Sequence, residues 1–287
     1  MSDIFTYSYT HTDLKRLPYR PDESNKGTFG RVLCVCGSYG MAGAAYFAAK
    51  SALRTGAGLV EVLTVRENLP IIQTLLPEAI VTVYDSKELD VNIVSDALSR
   101  ATVIVCGCGL GVTPTSRKLL AKIMRESSVP TVLDADALNL ISRNPSLLKY
   151  ARDCIITPHP GEMSRLTSLS VNEILSSPAG VCREFAKKHH LVCVLKNHST
   201  AVSDGSDKVY INTSGNNGMA TGGSGDVLAG IIVGILAQNS EHKLTKTDAA
   251  CLGVFIHGLA GNVAAEKLGK RSLIASDIID ALPYILK

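Results

Sequence analysis

A glycine-rich segment that ends in an acid carries the strongest chemical signal in the chain. Residues 216–230 read Asn-Asn-Gly-Met-Ala-Thr-Gly-Gly-Ser-Gly-Asp-Val-Leu-Ala-Gly, and the apolar run 227–237 predicts a buried helix. Glycines allow backbone N–H groups to converge on one point, and a helix start adds unpaired N–H donors and a positive dipole end. We therefore expect an anion site, most commonly for phosphate, at Gly222, Gly223 and Ser224.

Asp226 follows this loop directly, in the predicted first turn of the helix. A bound phosphate repels a carboxylate, so an acid at this position is explained if it handles a proton or a metal during a reaction. The structural alternative is that Asp226 caps the helix and the glycines form a turn, because acids are favoured at helix starts. The density of glycines favours the catalytic interpretation. The loop is not a Walker A loop, since no segment matches that pattern.

The rest of the chain alternates predicted strands and helices. Strands are predicted at 31–36, 59–64, 79–84, 102–106, 131–133, 154–156, 191–195, 200–203 and 208–211. Helices are predicted at 44–55, 67–76, 91–100, from 113, after 136, and at 171–189, 227–237, 248–268 and 276–286. This alternation predicts an α/β fold with a mostly parallel central sheet and helices on both faces. Without a linker or repeat, residues 1–287 are expected to form a single domain.

The unusual loops nearly all follow predicted strands. They are 37–43, 107–111, 134–139, 157–162, 196–200 and 215–226. Ligands of open α/β sheets collect at the carboxyl ends of the strands, so these loops predict a nucleotide site with room for a second substrate. His159 lies between two prolines in a rigid loop, which favours a placed side chain, whereas Lys196 is equally compatible with a solvated strand end. Asp134 and Asp136 either cap a helix or face the site.

Composition limits the classes of partner. The 287 residues are 46% hydrophobic and carry a net charge of +3 without a basic stripe, which argues against nucleic acid as the main partner. Neither a long apolar span nor a signal peptide is recognisable, so we expect a cytoplasmic protein that does not bind a membrane. The eight cysteines include two C-x-C pairs that make a metal site conceivable, but free buried thiols are favoured because zinc sites usually show other spacings.

Together these motifs resemble those of the ADP- or ATP-dependent NAD(P)H-hydrate dehydratases. The resemblance runs in order from about residue 12 to the end of the chain. It is carried by Lys26-Gly-Thr-Phe-Gly30, Gly37-Ser-Tyr-Gly-Met-Ala-Gly-Ala-Ala45, Gly107-Cys-Gly-Leu-Gly111, Asp134-Ala-Asp-Ala-Leu138, Thr157-Pro-His-Pro-Gly-Glu162 and Gly222-Gly-Ser-Gly-Asp226. It implies a ribokinase-like fold and repair of hydrated nicotinamide cofactors (NADHX and NADPHX). A nucleotide phosphorylates the hydrate hydroxyl, and phosphate elimination then restores NADH or NADPH.

The resemblance also implies roles for individual residues. Asp226 would contact the hydrate hydroxyl and act as the catalytic base, and Ala44, Gly109 and His159 would line the hydrated dinucleotide pocket. The adenine nucleotide, ADP or ATP with Mg²⁺, would be held by Lys196, Asn197, His198, Ser199, Thr200 and Gly225. The metal ligands are not assigned. The resemblance further implies a homo-oligomer, for example a tetramer. The chain departs from the usual pattern at Asn197, Ser224 and Cys108, where Gly, Thr and Pro are usual.

Three competing interpretations remain. A small-molecule kinase of the same fold, of the thiazole or hydroxymethylpyrimidine kinase type, would share 222–226 but not the loop 158–162. A nicotinamide-dependent oxidoreductase built on 37–43 would need an acid at the end of the second strand, whereas Glu61 is predicted in mid-strand. A non-catalytic nucleotide sensor would not need Asp226.

Overall fold

Ten strands form one sheet in the computed structural model, which describes residues 4–152, 154–239 and 243–287. The strands are β1 Phe5–Tyr7, β2 Arg31–Val35, β3 Leu59–Val65, β4 Ile80–Tyr84, β5 Val103–Cys106, β6 Thr131–Leu133, β7 Ile155–Ile156, β8 Val192–Leu195, β9 Ala201–Ser203 and β10 Lys208–Ile211. Their order is β1-β10-β9-β8-β7-β6-β5-β2-β3-β4. Pairing is parallel except where β9 runs antiparallel between β8 and β10. The predicted mostly parallel sheet is confirmed.

Helices cover both faces of this sheet. They are α1 Ala42–Thr55, α2 Leu69–Leu75, α3 Val91–Arg100, α4 Pro114–Glu126, α5 Asp136–Arg143, α6 Pro160–Thr167, α7 Val171–Ser176, α8 Pro178–His189, α9 Ser224–Ala237, α10 Lys246–Leu268 and α11 Ala275–Ile285. One core cluster joins the sheet to α1, α9, α10 and α11, and the other joins it to α3, α4, α5 and α8. Alternate residues of each strand enter opposite clusters, which is why the strands are apolar almost throughout.

Helix α10 corrects the expectation that no long apolar span is present. Its 23 residues are long and apolar enough to cross a membrane by length and composition alone. However, 72% of its apolar 18-residue stretch is buried inside the protein, where α10 packs against α9 and α11. A core helix of this kind meets the same criterion, so burial explains its composition without a membrane.

Several predicted elements need correction. The helix predicted at 171–189, with its middle disturbed by Pro178 and Gly180, is two helices, α7 and α8, because Pro178 occupies the first position of α8 and cannot continue a preceding helix. Strand β1 and helix α6 were not predicted. Helix α9 begins at Ser224, so Asp226 lies in its first turn as predicted. All eight cysteines are buried, as expected.

Glu61 lies within β3 and forms a buried ion-pair cluster. Its carboxylate accepts hydrogen bonds from Arg31 at 2.6 Å, Arg100 at 2.7 Å and Thr82 at 2.7 Å. Burial would raise the pKa of Glu61, but the hydrogen bonds from Arg100, Thr82 and Arg31 outweigh it and hold the pKa below its ordinary value. This carboxylate is occupied by structural partners, which disfavours the oxidoreductase interpretation that would use it to bind ribose.

Candidate active site

The glycine-rich loop leads into α9 through a left-handed glycine. Gly223 precedes the helix with φ +90°, and a Cβ atom there would lie 2.6 Å from the Phe47 ring. Both facts require glycine at this position, because L side chains rarely adopt such a φ. Gly222 is exposed and has open space around it, so the loop backbone at this point remains accessible. The first turn of α9 therefore presents its N–H groups beside an open surface.

Asp226 is the third residue of α9, and the capping position belongs to Gly223. The structural alternative, in which Asp226 caps the helix, is therefore not supported. Burial and the nearby charge of Asp134 raise the pKa of Asp226 to about 7, against the opposing effects of the Cys108 thiol and Lys196. A carboxyl group with a pKa near neutrality is well suited to accept a proton from a substrate hydroxyl.

Lys196 lies beyond the end of β8, paired with two buried acids. Its Nζ atom is 2.6 Å from Asp134 and 4.0 Å from Glu162, whose side chains are 1% and 5% exposed. Burial would lower the pKa of Lys196, but the charges of Asp134 and Glu162 outweigh it and raise the pKa. The solvated strand-end interpretation of Lys196 is not supported. Asp134, one of the two acids that the sequence suggested for the site, belongs to this cluster. Glu162 also belongs to it, although the sequence did not single it out.

His159 is the capping residue of α6 rather than part of a free loop. Its Nδ1 atom accepts hydrogen bonds from the backbone N–H groups of Gly161 at 3.0 Å and Glu162 at 3.4 Å. The Glu162 carboxylate in turn accepts from the His159 backbone N–H at 2.9 Å, completing a capping box. Burial, followed by the charges of Lys196 and Arg165, lowers the pKa of His159. The ring is half exposed and neutral at physiological pH.

A cavity of about 720 Å³ opens beside α9. Its lining includes Lys196, Asn197, His198, Thr200 and Gly225, together with His159 and Ser224. The structure therefore gathers most of the residues expected at the nucleotide, whereas Ser199 does not line the cavity. The volume falls within the range of about 300–1,000 Å³ typical of small-molecule sites. The remaining lining combines amides with apolar side chains, a mixture suited to a heterocyclic ligand.

Ala44 and Gly109 contact each other outside the cavity. A Cβ atom on Gly109 would lie 2.7 Å from the Ala44 Cβ atom and 3.1 Å from that of Met41. Neither Ala44 nor Gly109 lines the cavity, and His159 lies with the nucleotide residues rather than with these two. Cys108, which precedes Gly109, has its thiol near the Asp226 carboxylate. Asp226 therefore has neighbours in both regions, because it follows Gly225, which lines the cavity, and lies near Cys108, which precedes Gly109.

His257 is a site residue that the sequence did not indicate. It comes from α10, lines the cavity, and its Nε2 atom lies 3.3 Å from the Ser224 hydroxyl. Burial lowers the pKa of His257 to about 4, so the ring is neutral. A single histidine in a long apolar helix gives no signal of its own, because its proximity to Ser224 depends on how α10 packs against α9.

A sequence model of the NAD(P)H-hydrate dehydratase family matches residues 32–284. The chain belongs to this family. It is 43% identical over 274 residues to the bifunctional NAD(P)H-hydrate repair enzyme Nnr of Coxiella burnetii, covering 94% of this chain and 53% of that protein. It is 37% identical over 274 residues to the ADP-dependent (S)-NAD(P)H-hydrate dehydratase of Neisseria meningitidis serogroup B, covering 93% of this chain and 88% of that protein.

A solved dehydratase of this family has the same fold. The ADP/ATP-dependent NAD(P)H-hydrate dehydratase of Bacillus subtilis, co-crystallised with ATP/Mg²⁺, matches with a TM-score of 0.82 and 28% identity over 99% of this chain and 98% of that one. The family resemblance and the ribokinase-like fold inferred from the motifs are confirmed. The chain spans about half the length of the first curated relatives it matches.

Proposed function

We propose that this protein dehydrates hydrated NADH and NADPH back to NADH and NADPH in a reaction that consumes an adenine nucleotide. The observation that carries the proposal is Asp226, a half-buried carboxyl group with a pKa of about 7 in the first turn of α9, at the end of the glycine-rich loop. Membership of the dehydratase family supplies the reaction class. A residue that only caps a helix would not need a carboxyl group whose pKa is suited to proton transfer near neutral pH.

The reaction begins with phosphorylation of the hydrate hydroxyl. Asp226 accepts the hydroxyl proton while the oxygen attacks the terminal phosphorus of the nucleotide, and the shortened nucleotide leaves. The backbone N–H groups of Gly222 and Gly223 lie directly before α9, and that of Ser224, which donates to the Thr221 carbonyl at 3.4 Å, begins the helix. We expect this segment to stabilise charge on the transferring group. Phosphate then leaves the phosphorylated hydrate with loss of a proton, which restores the double bond of the dihydronicotinamide.

The two substrates occupy opposite sides of Asp226 in this proposal. The nucleotide lies in the 720 Å³ cavity, against the segment from Lys196 to Thr200 and beside Gly225. The hydrated dinucleotide lies against Ala44 and Gly109 and reaches Asp226 and His159. Support comes from the lining of the cavity and from the neighbours of Asp226, which follows Gly225 and lies near Cys108, the residue before Gly109. Since Ser199 does not line the cavity, any contact it makes with the nucleotide is expected from its backbone.

ADP or ATP with Mg²⁺ is the proposed nucleotide cofactor. Mg²⁺ usually retains several waters and binds one or two carboxylates together with substrate phosphates. Asp134 fits this requirement, because its carboxylate is buried and lies within 4.8 Å of that of Asp226, at the end of the glycine-rich loop. Asp134 would hold the ion, which when bound supplies positive charge to the phosphates, and Asp226 remains available to accept the proton.

We further propose that residues 1–287 form one domain that acts in the cytoplasm as a homo-oligomer. The single sheet, which has β1 at one edge beside β10 and β4 at the other edge, supports the domain assignment. The proposed partners are small molecules, with no nucleic acid or membrane.

Product identification tests the function against the competing kinase. We expect hydrated NADH, nucleotide and Mg²⁺ to give NADH and free phosphate in equal amounts. A thiazole or hydroxymethylpyrimidine alcohol should remain unphosphorylated in a parallel reaction. Accumulation of a stable phosphate ester of such an alcohol, with no NADH formed from the hydrate, would favour the small-molecule kinase.

Two glycine substitutions should separate folding from nucleotide binding. Gly225→Ala is expected to fold, because the atoms nearest to the new Cβ are Lys196 Nζ at 3.3 Å and Asp134 Oδ2 at 3.8 Å. It should bind ADP or ATP more weakly, because the added methyl group enters the binding site. Gly223→Ala is the contrast, and should lose about 1 kcal/mol or more of stability because of its φ of +90°. Urea unfolding and calorimetric titration measure both. Unchanged nucleotide affinity in Gly225→Ala would remove this position from the binding site.

Substitution of His159 should affect the hydrate more than the nucleotide. His159→Ala is expected to raise the apparent KM for the hydrate and to lower stability by about 1 kcal/mol, because the cap of α6 is also lost. His159→Asn is the matched control, since Asn retains capping but lacks the ring. It should recover stability without recovering the KM. A larger change in the nucleotide KM would instead place His159 at the nucleotide, the side on which the cavity lies.

A further inference from the structure

Cys108, Asp134 and Asp226 form a compact group of one thiol and two carboxylates. One ligand atom from each lies within 4.8 Å of the other two. The residues follow β5, follow β6 and lie in the first turn of α9, so the fold rather than a single turn assembles them. Cys108 and Asp134 are buried, whereas Asp226 is only half-buried and leaves a route from solvent to the group.

We propose that this group binds one thiophilic divalent cation of the Zn²⁺ or Cd²⁺ class. Cysteine thiolates bind zinc at about 2.3 Å and carboxylate oxygens at about 2.0–2.2 Å, so small side-chain movements bring all three donors onto one ion. Cys108 loses its proton to solvent when its sulfur binds the cation. Three protein ligands leave a fourth position for water.

Thr157 provides an independent reason to expect a ligand here. Its Oγ1 atom is buried and has no hydrogen-bond partner, and the residue is 0% exposed. Thr157 continues β7 beside Asp134, because its backbone N–H donates to the Leu133 carbonyl at 3.1 Å. Ile155 packs on the α9 side of the sheet and Ile156 on the opposite side, so alternation directs Thr157 to the α9 side. A buried hydroxyl without a partner calls for an explanation, and a water on the bound cation supplies one.

Lys196 is the main obstacle to a cation, because its ammonium group lies 2.6 Å from Asp134. The structure offers this lysine a second partner, since Glu162 lies 4.0 Å from the same Nζ atom and is itself buried. A small movement of Lys196 toward Glu162 keeps the ammonium group paired while Asp134 turns to the cation. The site therefore accepts the cation without leaving a buried charge unpaired.

Sulfur is what separates this site from ordinary Mg²⁺ binding. Mg²⁺ prefers oxygen ligands, whereas thiolate ligands select softer ions. A bound Zn²⁺ or Cd²⁺ ion would occupy the carboxylate of Asp134 and compete with any Mg²⁺ held there. The binding itself does not depend on the proposed enzymatic activity, and it can be measured without substrate.

Titration of the full-length protein with Cd²⁺ tests the site. Without nucleotide or phosphate, and with a phosphine reductant, the ultraviolet charge-transfer absorption of a cadmium thiolate should saturate at one equivalent. Cys108→Ala should abolish it, and Asp226→Asn should weaken Cd²⁺ binding by about tenfold or more. Cys106→Ala is the matched control, because Cys106 is buried two residues away on the opposite face of the sheet, and it should bind as the wild type does.

If circular dichroism shows that Cys108→Ala does not fold, Cys108→Ser is the variant to test in its place. Serine retains the size of the side chain but cannot supply a thiolate, so the absorption should again be lost. Full absorption in either folded Cys108 variant, or equal loss in Cys106→Ala, would overturn the proposal. Wild-type affinity in Asp226→Asn would also overturn it, since the cation would then be bound without the carboxylate.

Discussion

Asp226→Asn is expected to give a folded, nucleotide-binding and nearly inactive protein. The substitution removes the carboxylate that accepts the hydroxyl proton, and general-base catalysis typically contributes about 10²–10⁴-fold. Turnover of the hydrate should therefore fall by about 10²-fold or more. Nucleotide affinity should hold or improve, because a negative charge near the phosphates is removed. Steady-state assays and calorimetric titration of the same preparation measure the two effects.

Stability provides a second signature of the same substitution. The pKa of Asp226 is raised to about 7, so the folded state disfavours the ionised form. The resulting loss of stability is absent below the unfolded pKa near 3.8 and grows as the pH rises toward 7. Asp226→Asn should therefore raise the melting temperature more at pH 8 than at pH 5. A loss of stability at pH 8 would indicate a structural role for the acid.

Asp280→Asn is the control for removal of a carboxylate. Asp280 is exposed on α11, lies 3.7 Å from Lys50 and does not line the cavity. Neither turnover nor stability should change appreciably, because exposed ion pairs contribute about 0–1 kcal/mol. Near-normal turnover in Asp226→Asn would leave the general base unassigned, whatever the control shows.

Lys196→Met should have the largest effect on stability. It leaves Asp134 and Glu162 buried without their cation, and breaking a buried ion pair by removing one partner typically costs about 3–5 kcal/mol. Nucleotide affinity should also fall about tenfold or more, since charge-assisted hydrogen bonds contribute about 1.5–3 kcal/mol. Urea unfolding and calorimetry measure these changes.

A double substitution separates the two roles of Lys196. Lys196→Met with Asp134→Asn removes one of the uncompensated carboxylates and should recover part of the stability without recovering nucleotide affinity. Lys122→Met is the control, because the pair of Lys122 with Glu126 on α4 is partly exposed and should contribute about 0–1 kcal/mol. Nucleotide affinity equal to that of the wild type would remove Lys196 from the binding site.

The placement of the site at one sheet edge could be predicted from the sequence. Parallel strands carry their carboxyl ends to the same edge, so the loops after β5, β6, β7 and β8 had to converge once alternation of strands and helices was recognised. The order of the glycine-rich loop and α9 followed from local residue types in the same way. These features depend on spacing and local preference, which a single sequence carries.

Pairings between distant side chains could not be predicted. Lys196 and Asp134 are 62 positions apart, and their contact depends on how β8 lies relative to β6 across β7. The three-residue strand β1 is fixed by its pairing with β10, about 200 positions away, rather than by its own sequence. Helix α6 did have a local signal, because Pro160 at its first position and Glu162 at its third are typical of a helix start.

The proposed dehydratase activity is tested most directly by following the absorbance of restored dihydronicotinamide. Hydrated NADH or NADPH is incubated with the wild-type protein, Mg²⁺ and either ADP or ATP. We expect absorbance to appear only when protein and nucleotide are both present, and to be nearly abolished with Asp226→Asn. Absence of restored NADH and NADPH with both nucleotides, from protein that binds nucleotide by calorimetry, would contradict the proposed function.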